Sequence, residues 1–176
     1  MQCDIVRVCF KSTEGDWMAN LYPDRAPLTV QYFCKLLAAN ALNNTNIYRI
    51  VAQKNQSLSV KERIEVIQGG GKPPYRDDDF DFLEHEPTTQ TGLLHKKYTL
   101  SMPRFKLNQV YKSFFITMDE SPCLDYGGKR HPDKQGFATF GNIVSGFDTL
   151  GRIFSQSEES DMLLNPIKLI SVSIDT

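Results

Sequence analysis

The sequence has 176 residues, and its 20 basic and 21 acidic side chains leave a formal net charge of −1 at pH 7. A chain of this length is expected to form a single domain over residues 1–176, with a core that needs no metal or disulfide support. The balanced charge gives no sign of a nucleic-acid or anionic membrane partner, because such partners are usually bound by an excess of basic residues.

The N-terminal stretch MQCDIVRVCFKSTEGD lacks the basic segment and following apolar segment of a signal peptide. No apolar run approaches the length that spans a bilayer. The sequence as written predicts a cytoplasmic protein, whereas a leader removed ahead of Met1 would indicate a periplasmic or secreted one. Reduced thiols are expected at the four cysteines, which form no C-x-x-C pair: Cys3, Cys9, Cys34 and Cys123.

Eight short apolar or alternating runs, rich in Val, Ile and Phe, recur between turn signals along the chain. This density of short strands is typical of an all-β barrel or sandwich. A closed barrel would also leave no exposed sheet edge. In chain order the runs are DIVRVCF, WMANLY, IYRIV, RIEVIQ, YTLSMP, SFFITM, ATFGNIV and KLISVSI.

Two segments have helical periodicity, near residues 27–40 and 146–155. In APLTVQYFCKLLAAN, Pro27 suits a first helical position. Apolar residues follow it at i, i+3, i+4 and i+7 spacing, namely Val30, Phe33, Cys34, Leu37 and Ala41. A shorter stripe in SGFDTLGRIFSQ consists of Leu150, Ile153 and Phe154. We therefore expect two helices that cap a closed sheet.

The stretch VIQGGGKPPY superficially resembles a phosphate-binding loop. A P-loop needs a glycine five positions before its Gly-Lys pair and a Ser or Thr after the lysine. Val66 and Pro73 occupy these places, so no nucleotide site is predicted. The histidines His85, His95 and His131 show no metal-ligand spacing, and no G-x-S-x-G elbow is present. The sequence thus predicts no cofactor and no metal.

Arg49 interrupts the apolar run IYRIV. An arginine is rarely buried without a partner. Because side chains alternate between the faces of a strand, Arg49 could simply point outward into solvent. It could instead belong to a functional surface; the residues of the run alone favour the outward-facing interpretation but leave both open.

Five motifs occur in the order IYRIV, VIQGGG, LSMPR, SFFIT and LDYGGKRHPDKQGFATFGNIVSGFD. Together they resemble the cyclophilins, a class of peptidyl-prolyl cis-trans isomerases, and specifically the bacterial ones. The similarity begins to be visible at YPDRAPLTVQYF and extends from Asp4 to Ile174. It implies an eight-stranded antiparallel β-barrel capped by two α-helices, with a substrate groove on one outer face.

The resemblance also implies roles for individual residues. Arg49 matches the catalytic arginine of the family, and Gln68 matches the glutamine that lines the groove and bonds the substrate backbone. Val66 occupies the place of a pocket methionine. The other implied substrate-binding residues surround the proline pocket: Phe115 as its floor, Leu124 and Phe137 as walls, and Pro103, Arg104 and Ser113 beside them.

Several positions depart from the family pattern. Ser113 replaces a glutamine or glutamate, and Cys123 stands where an aromatic residue is usual. Phe137 holds a position often filled by histidine or tyrosine. Pro103 and Phe105 replace small residues, so the bulky Phe105 is expected to narrow the groove. These departures keep open an alternative function, a proline-peptide binding module with weak or no turnover.

The implied activity is acceleration of X-Pro bond rotation, which is slow because amide resonance gives the C–N bond partial double-bond character. An apolar pocket of Val66, Phe115 and Leu124 would hold the proline ring, and Arg49 would donate a hydrogen bond to the prolyl nitrogen as the bond twists. The implied partners are proline-containing peptides and unfolded protein chains. A monomer is expected, with no nucleic acid and no membrane bound.

Overall fold

A computed structural model describes residues 4–176, and residues 1–3, including Cys3, lie outside it. Ten strands and three α-helices make up about half of these residues. They are β1 (Val6–Ser12), β2 (Gly15–Leu21), α1 (Pro27–Ala38), β3 (Thr45–Val51), β4 (Val66–Gly70), β5 (Phe80–Phe82), α2 (Thr88–Thr91), β6 (Thr99–Met102), β7 (Gln109–Tyr111), β8 (Ser113–Thr117), β9 (Ala138–Ser145), α3 (Phe147–Phe154) and β10 (Met162–Ile174).

Eight strands close into a barrel in the order β1-β10-β3-β4-β8-β6-β9-β2. Every neighbouring pair is antiparallel. Each of the eight runs identified in the sequence overlaps one of these strands, so the predicted eight-stranded antiparallel barrel is confirmed. The remaining strands, β5 and β7, form a separate antiparallel ribbon beside the barrel.

The barrel interior is filled by aromatic side chains. Phe10 stacks on Trp17 with ring centroids 5.2 Å apart and meets Phe114 edge-on at 5.1 Å. Phe33 of α1 reaches into the same cluster and packs on Phe140 at 5.0 Å. These rings are completely or almost completely buried. Their burial removes a large apolar area from water, so this cluster stabilises the fold.

Helices α1 and α3 confirm the two predicted helices, each ending within two residues of the expected bounds. Leu150 and Ile153 of α3 are buried against the barrel, and Phe154 packs beside them. Ala41 follows the end of α1 but still packs on the core. A third helix, α2, has only four residues and was not predicted. No helix in residues 4–176 is long and apolar enough to cross a membrane.

Strand β3 contains an irregularity that decides where the arginine of IYRIV points. Ile47 and Ile50 both lie in the interior cluster although they are three residues apart, an odd spacing that strict alternation does not allow. The pairing of β3 with β4 shifts register between Ile47 and Arg49. This bulge places Tyr48 and Arg49 together outside the barrel.

The glycines of VIQGGG serve the barrel rather than a phosphate. Gly70 ends β4 with φ = +106°, a conformation that side-chain-bearing residues rarely adopt. A Cβ added there would lie 2.8 Å from the Lys112 carbonyl oxygen and 2.9 Å from the Ser113 Cα. A glycine is therefore required where β4 leaves the barrel so close to the start of β8.

Candidate active site

Strand alternation builds a second apolar cluster on the outer face of the barrel. In β4, Ile67 points into the barrel, so Val66 and Gln68 point outward; in β8, Phe114 is inside and Phe115 is outside. Val66 and Phe115 pack with residues from three flanking segments, and Cys123 and Phe137 lie beside them. The buried members of the cluster are Val51, Ile64, Val66, Phe115 and Leu124.

A cavity of about 120 Å³ opens over this cluster, and we call it the outer-face pocket. It is small beside the roughly 300–1,000 Å³ of sites for drug-sized ligands. Its apolar floor and walls suit a compact apolar ring rather than a nucleotide or other large cofactor. It is lined by Arg49, Ile64, Val66, Gln68, Pro103, Arg104, Tyr111, Phe115, Leu124, Arg130 and Phe137.

The structure brings together eight of the nine residues predicted for the site. They are Arg49, Val66, Gln68, Pro103, Arg104, Phe115, Leu124 and Phe137. The pocket residues that sequence reasoning missed are Ile64, Tyr111 and Arg130. Ile64 precedes β4, Tyr111 is the last residue of β7, and Arg130 lies in the long loop before β9. None belongs to a strand motif quoted for the resemblance, although Arg130 lies within its long loop motif.

The guanidinium of Arg49 is held from two sides. Its Nε donates to Asp161 Oδ2 at 2.8 Å, and its Nη1 donates to Gln68 Oε1 at 3.2 Å across the β3–β4 pair. Asp161 is itself fixed, because its carbonyl oxygen accepts the Ile50 N–H at 2.9 Å. Among residues 4–176, no group accepts a hydrogen bond from Nη2 of Arg49. The arginine is therefore oriented while one amino group stays available at the pocket.

Gln68 is oriented in turn by a tyrosine. Its Nε2 donates to the Tyr111 hydroxyl at 3.3 Å, while Oε1 accepts from Arg49. The ring of Tyr111 packs on Tyr75 at 4.3 Å, which ties this side of the pocket to the β5–β7 ribbon. Burial raises the pKa of Tyr111, so its hydroxyl stays protonated at neutral pH.

Ser113 is a correction to the sequence interpretation. It lies on the same face of β8 as Phe115 but is completely buried and does not line the pocket. Its Oγ donates to the Gly69 carbonyl oxygen at 2.6 Å and lies 3.0 Å from the Tyr48 hydroxyl. Tyr48 reaches over it because the β3 bulge turns both Tyr48 and Arg49 outward. Burial raises the pKa of Tyr48 to about 12.

Phe105 also differs from expectation. Its side chain is 58% exposed and packs on Phe80 at 6.0 Å, away from the outer-face pocket. It therefore does not narrow the groove in the way the sequence predicted. The reason is local: the Phe105 N–H bonds the Gln109 carbonyl oxygen at 2.9 Å, which turns the chain toward the β5–β7 ribbon.

Arg104 lines the pocket, but its charged group is fully engaged within the protein. The side chain is 2% exposed, and its guanidinium makes two hydrogen bonds to Asp133 at 2.8 and 2.9 Å. Nε and Nη2 also donate to the Gly136 carbonyl oxygen at 2.9 and 2.7 Å. It lies 5.1 Å from the centre of the Phe137 ring. Arg104 thus fixes the loop that supplies one pocket wall.

Behind the pocket floor lies a buried histidine. The rings of His95 and Phe115 are stacked at 6.0 Å. His95 Nδ1 donates to Asp125 Oδ1 at 2.8 Å, and Nε2 lies 2.9 Å from Ser101 Oγ. The order Asp125, His95, Ser101 matches a hydrolase triad, yet Ser101 is completely buried, so no substrate carbonyl can reach it. The trio supports the floor.

This histidine leads to a pH prediction. Burial lowers the pKa of His95 below its usual 6.5, although Asp125 opposes the shift. Because its pKa is lowered in the folded protein, His95 binds a proton less readily there than in the unfolded chain. The stability that neutral His95 provides is therefore fully present above pH 6.5, and it is lost as the pH falls below 6.5. We expect the free energy of unfolding in urea to decrease from pH 7.5 to 5.5.

His85 is partly buried, and its pKa is also lowered. Its protonation would add to the decrease in the free energy of unfolding between pH 7.5 and 5.5. His95→Gln should therefore flatten the slope more than His85→Gln does. NMR titration of the His95 ring should give a value below 6.5. A value above 6.5 would mean that the Asp125 contact outweighs burial.

A larger surface groove of about 540 Å³ lies elsewhere and is lined by none of the nine residues predicted for the site. Most of its lining side chains are polar or charged, such as Arg25, Lys96 and Lys97. Among residues 4–176 no three His, Cys, Asp or Glu side chains are grouped closely enough to hold a metal ion. Within the same residues Cys9, Cys34 and Cys123 are free thiols, as predicted.

Comparison with known proteins gives one consistent family. Residues 6–174 match the family model "Cyclophilin type peptidyl-prolyl cis-trans isomerase/CLD". The chain is 29% identical over 167 residues to peptidyl-prolyl cis-trans isomerase 9 of Schizosaccharomyces pombe, covering 93% of this chain but only 24% of that protein. It is 26% identical over 147 residues to peptidyl-prolyl cis-trans isomerase B of Escherichia coli, covering 83% of this chain and 82% of the relative.

Solved structures agree on the fold. A cyclophilin type peptidyl-prolyl cis-trans isomerase of Cryptosporidium parvum superposes with a TM-score of 0.72 at 22% identity, over 98% of this chain and 99% of that one. The structure of the same protein in the presence of the dipeptide Ala-Pro gives a TM-score of 0.70 at 22% identity, over 97% of this chain and 99% of that one.

Proposed function

Because the chain belongs to the family of cyclophilin-type peptidyl-prolyl cis-trans isomerases, we propose that it accelerates X-Pro bond rotation in peptides and unfolded protein chains. The outer-face pocket holds the proline ring, and Arg49 acts on the rotating bond. The observation that carries this proposal is the position of Arg49 at the edge of an apolar pocket, held by Asp161 and Gln68 with Nη2 unused among the described residues.

The chemistry follows from the resonance of the amide bond. Rotation has a barrier of roughly 18–20 kcal/mol because the nitrogen lone pair is delocalised into the carbonyl. In the twisted state that lone pair is localised on nitrogen and can accept a hydrogen bond. A donor that is fixed beforehand, such as Arg49, stabilises the twisted state more than the planar state, which is the condition for catalysis.

The apolar floor has a second role in the proposal. Phe115, Val66 and Leu124 exclude water from one side of the proline, so the hydrogen bond from Arg49 forms in a medium less polar than water. Phe137 meets Phe115 edge-on at 5.6 Å and closes the pocket on one side. Each tenfold acceleration needs about 1.4 kcal/mol of preferential stabilisation, which a few such contacts supply.

The alternative function is a proline-peptide binding module without turnover. Two of the departures that favoured it lose weight, because Ser113 is buried away from the pocket and Phe105 does not line it. A protease-coupled assay on a short X-Pro peptide tests the choice. Acceleration of cis-to-trans conversion by the wild-type protein supports the enzyme. Peptide binding in an NMR titration, with no acceleration at any protein concentration, would instead support the module.

Ser113→Ala gives a sharper test of the corrected assignment. Loss of the Ser113 hydroxyl removes its hydrogen bond to the Gly69 carbonyl oxygen and its contact with Tyr48. We expect the free energy of unfolding to fall by about 1 kcal/mol. The value of kcat/KM should stay within a factor of about two. A tenfold loss of kcat/KM at unchanged stability would return Ser113 to the substrate site.

A further inference from the structure

Three arginines face the outer-face pocket, and only two of them are matched by a carboxylate. Arg49 pairs with Asp161 at 2.8 Å, and Arg104 pairs with Asp133 at 2.8 Å. In the part of the chain that the structure describes, Arg130 has no carboxylate oxygen within 4.0 Å, the limit for an ion pair. Arg130 is therefore the one arginine of the pocket that forms no ion pair with the described residues.

Arg130 is fixed in place without being neutralised. Its Nη1 donates to the Glu62 carbonyl oxygen at 2.9 Å, and its backbone N–H donates to the Cys123 carbonyl oxygen at 3.2 Å. The residue is partly buried and lines the pocket beside Leu124. The carbonyl oxygen of Glu62 satisfies one N–H group but brings no negative charge. The remaining N–H groups of the guanidinium have no partner within residues 4–176.

The electrostatic position of Arg130 is unfavourable in the free protein. Burial, followed by the positive charge of Arg49, lowers the pKa of Arg130, but a guanidinium remains protonated throughout the physiological range. A partly desolvated cation gains most from an anion that reaches it with good geometry. The planar N–H groups of arginine match the two oxygens of a carboxylate.

We propose that Arg130 recognises an acidic side chain, Asp or Glu, in a residue that flanks the substrate proline. The inference rests on the proposed function, because it assumes that the proline ring occupies the outer-face pocket. Neighbouring Cα atoms are about 3.8 Å apart, so the side chains next to a bound proline reach the rim where Arg130 lies. Arg130 is thus a specificity residue, and Arg49 remains the catalytic one.

The experiment compares matched peptides at both flanking positions. One set is Ala-Xaa-Pro-Ala and the other is Ala-Ala-Pro-Xaa, with Glu, Gln or Lys at Xaa. NMR exchange spectroscopy gives kcat/KM for cis-trans conversion of each peptide. For the wild-type protein we expect Glu to be preferred over Gln about five- to tenfold at one of the two positions, with Lys the poorest.

Two variants assign the preference to Arg130, and a third controls for net charge. Arg130→Gln should abolish the Glu preference, measured as the ratio of kcat/KM for the Glu and Gln peptides, and Arg130→Lys should keep part of it. Lys129→Gln removes the same charge from the neighbouring residue, which is exposed and does not line the pocket. It should keep the full preference. Thermal melting of each variant confirms that it is folded.

Salt dependence gives a further readout. Raising the salt from about 0.01 M to about 1 M shortens the screening length from about 30 Å to about 3 Å. The Glu preference should shrink over this range, while kcat/KM for the Gln peptides should change little. A Glu preference of the wild-type protein that is undiminished at the higher salt concentration would contradict the charge mechanism.

The outcomes separate the two proposals. Turnover of Gln peptides without any Glu preference at either position overturns the role of Arg130 and leaves the isomerase intact. An equal loss of preference in Lys129→Gln and Arg130→Gln also overturns it. If no peptide is turned over, the proposed function fails, and NMR titrations of the same peptides still test Arg130 through the ratio of their Kd values.

Discussion

Replacement of Arg49 by alanine is expected to lower kcat/KM for an X-Pro peptide by about 100-fold, the range found when one preorganised donor is removed from an active site. The loss should appear mainly in kcat, because the apolar contacts of Val66, Phe115 and Leu124 with the proline ring remain. Binding of a proline peptide, measured by NMR titration, should therefore weaken much less than turnover.

Arg49→Lys should restore little activity. Lysine keeps the charge, but it has no planar group that can donate to Asp161 and Gln68 together and still present an N–H to the substrate. Arg7→Ala is the matched control, because Arg7 is an exposed strand residue of β1 outside the pocket. It should change neither kcat nor KM.

The stability of the Arg49→Ala variant decides how its kinetics are interpreted. The side chains of Arg49 and Asp161 are 31% and 34% exposed, so loss of their ion pair should cost less than about 1 kcal/mol. A variant that unfolds, or one that keeps full turnover, would show that Arg49 is a structural strand residue. The mechanism would then have to be abandoned.

The second large effect is expected at Arg104, and it concerns stability. Arg104→Ala removes a buried side chain that bonds Asp133 and Gly136 and packs on Phe137. Breaking a buried ion pair from one side typically costs about 3–5 kcal/mol, and partial exposure of Asp133 places this case near about 3 kcal/mol. Urea denaturation measures the loss directly. Activity should fall as well, because Phe137 loses its support.

The pH dependence of the free energy of unfolding of Arg104→Ala checks whether loss of the ion pair with Asp133 causes the lower stability. The pKa of Asp133 is about 2, since the hydrogen bonds from Arg104 and the Gln135 N–H, with the Arg104 charge, outweigh the opposing effect of burial. A lowered carboxyl pKa contributes stability above the unfolded value of 3.8 that is lost as the pH falls toward about 2. This part of the acid sensitivity should be smaller in Arg104→Ala, because only the hydrogen bond from the Gln135 N–H is then kept.

Asp133→Asn separates the charge of the pair from the packing of Arg104. It leaves the hydrogen bonds from Arg104 to the Gly136 carbonyl oxygen and the contact with Phe137 in place. We therefore expect a smaller loss of stability than for Arg104→Ala. Equal losses in the two variants would mean that the ion pair alone, and not the packing of the loop, carries the effect.

The regular part of the fold could be predicted from the sequence because its strands are marked by hydrophobic patterning. The eight runs and the helices at Pro27 and Phe147 carry enough periodicity to be recognised. The elements that were missed are α2, with four residues, and β5 and β7, with three residues each. Segments this short contain about one turn or one alternation, so no period can be detected in them.

The site was predictable to the extent that its residues lie in the motifs of the resemblance. Asp161 bonds Arg49 from 112 residues further along the chain, and Tyr111 reaches Gln68 from the ribbon beside the barrel. Such contacts depend on loop paths that no local pattern encodes. Ser113 was misassigned for a different reason, since its strand face was right but Tyr48 covers it. The single-domain organisation, the monomeric state and the cytoplasmic location stay predictions.

The bulge in β3 has a consequence for protein engineering. If β3 kept all its residues but lost the bulge, strict alternation would turn either the arginine or an interior isoleucine to the wrong face. The orientation of Arg49 therefore depends on the register shift between β3 and β4 as well as on its position in the sequence. A segment containing Thr45–Val51, if transplanted into another sheet, would present Arg49 correctly only beside a partner strand that accepts the same extra residue.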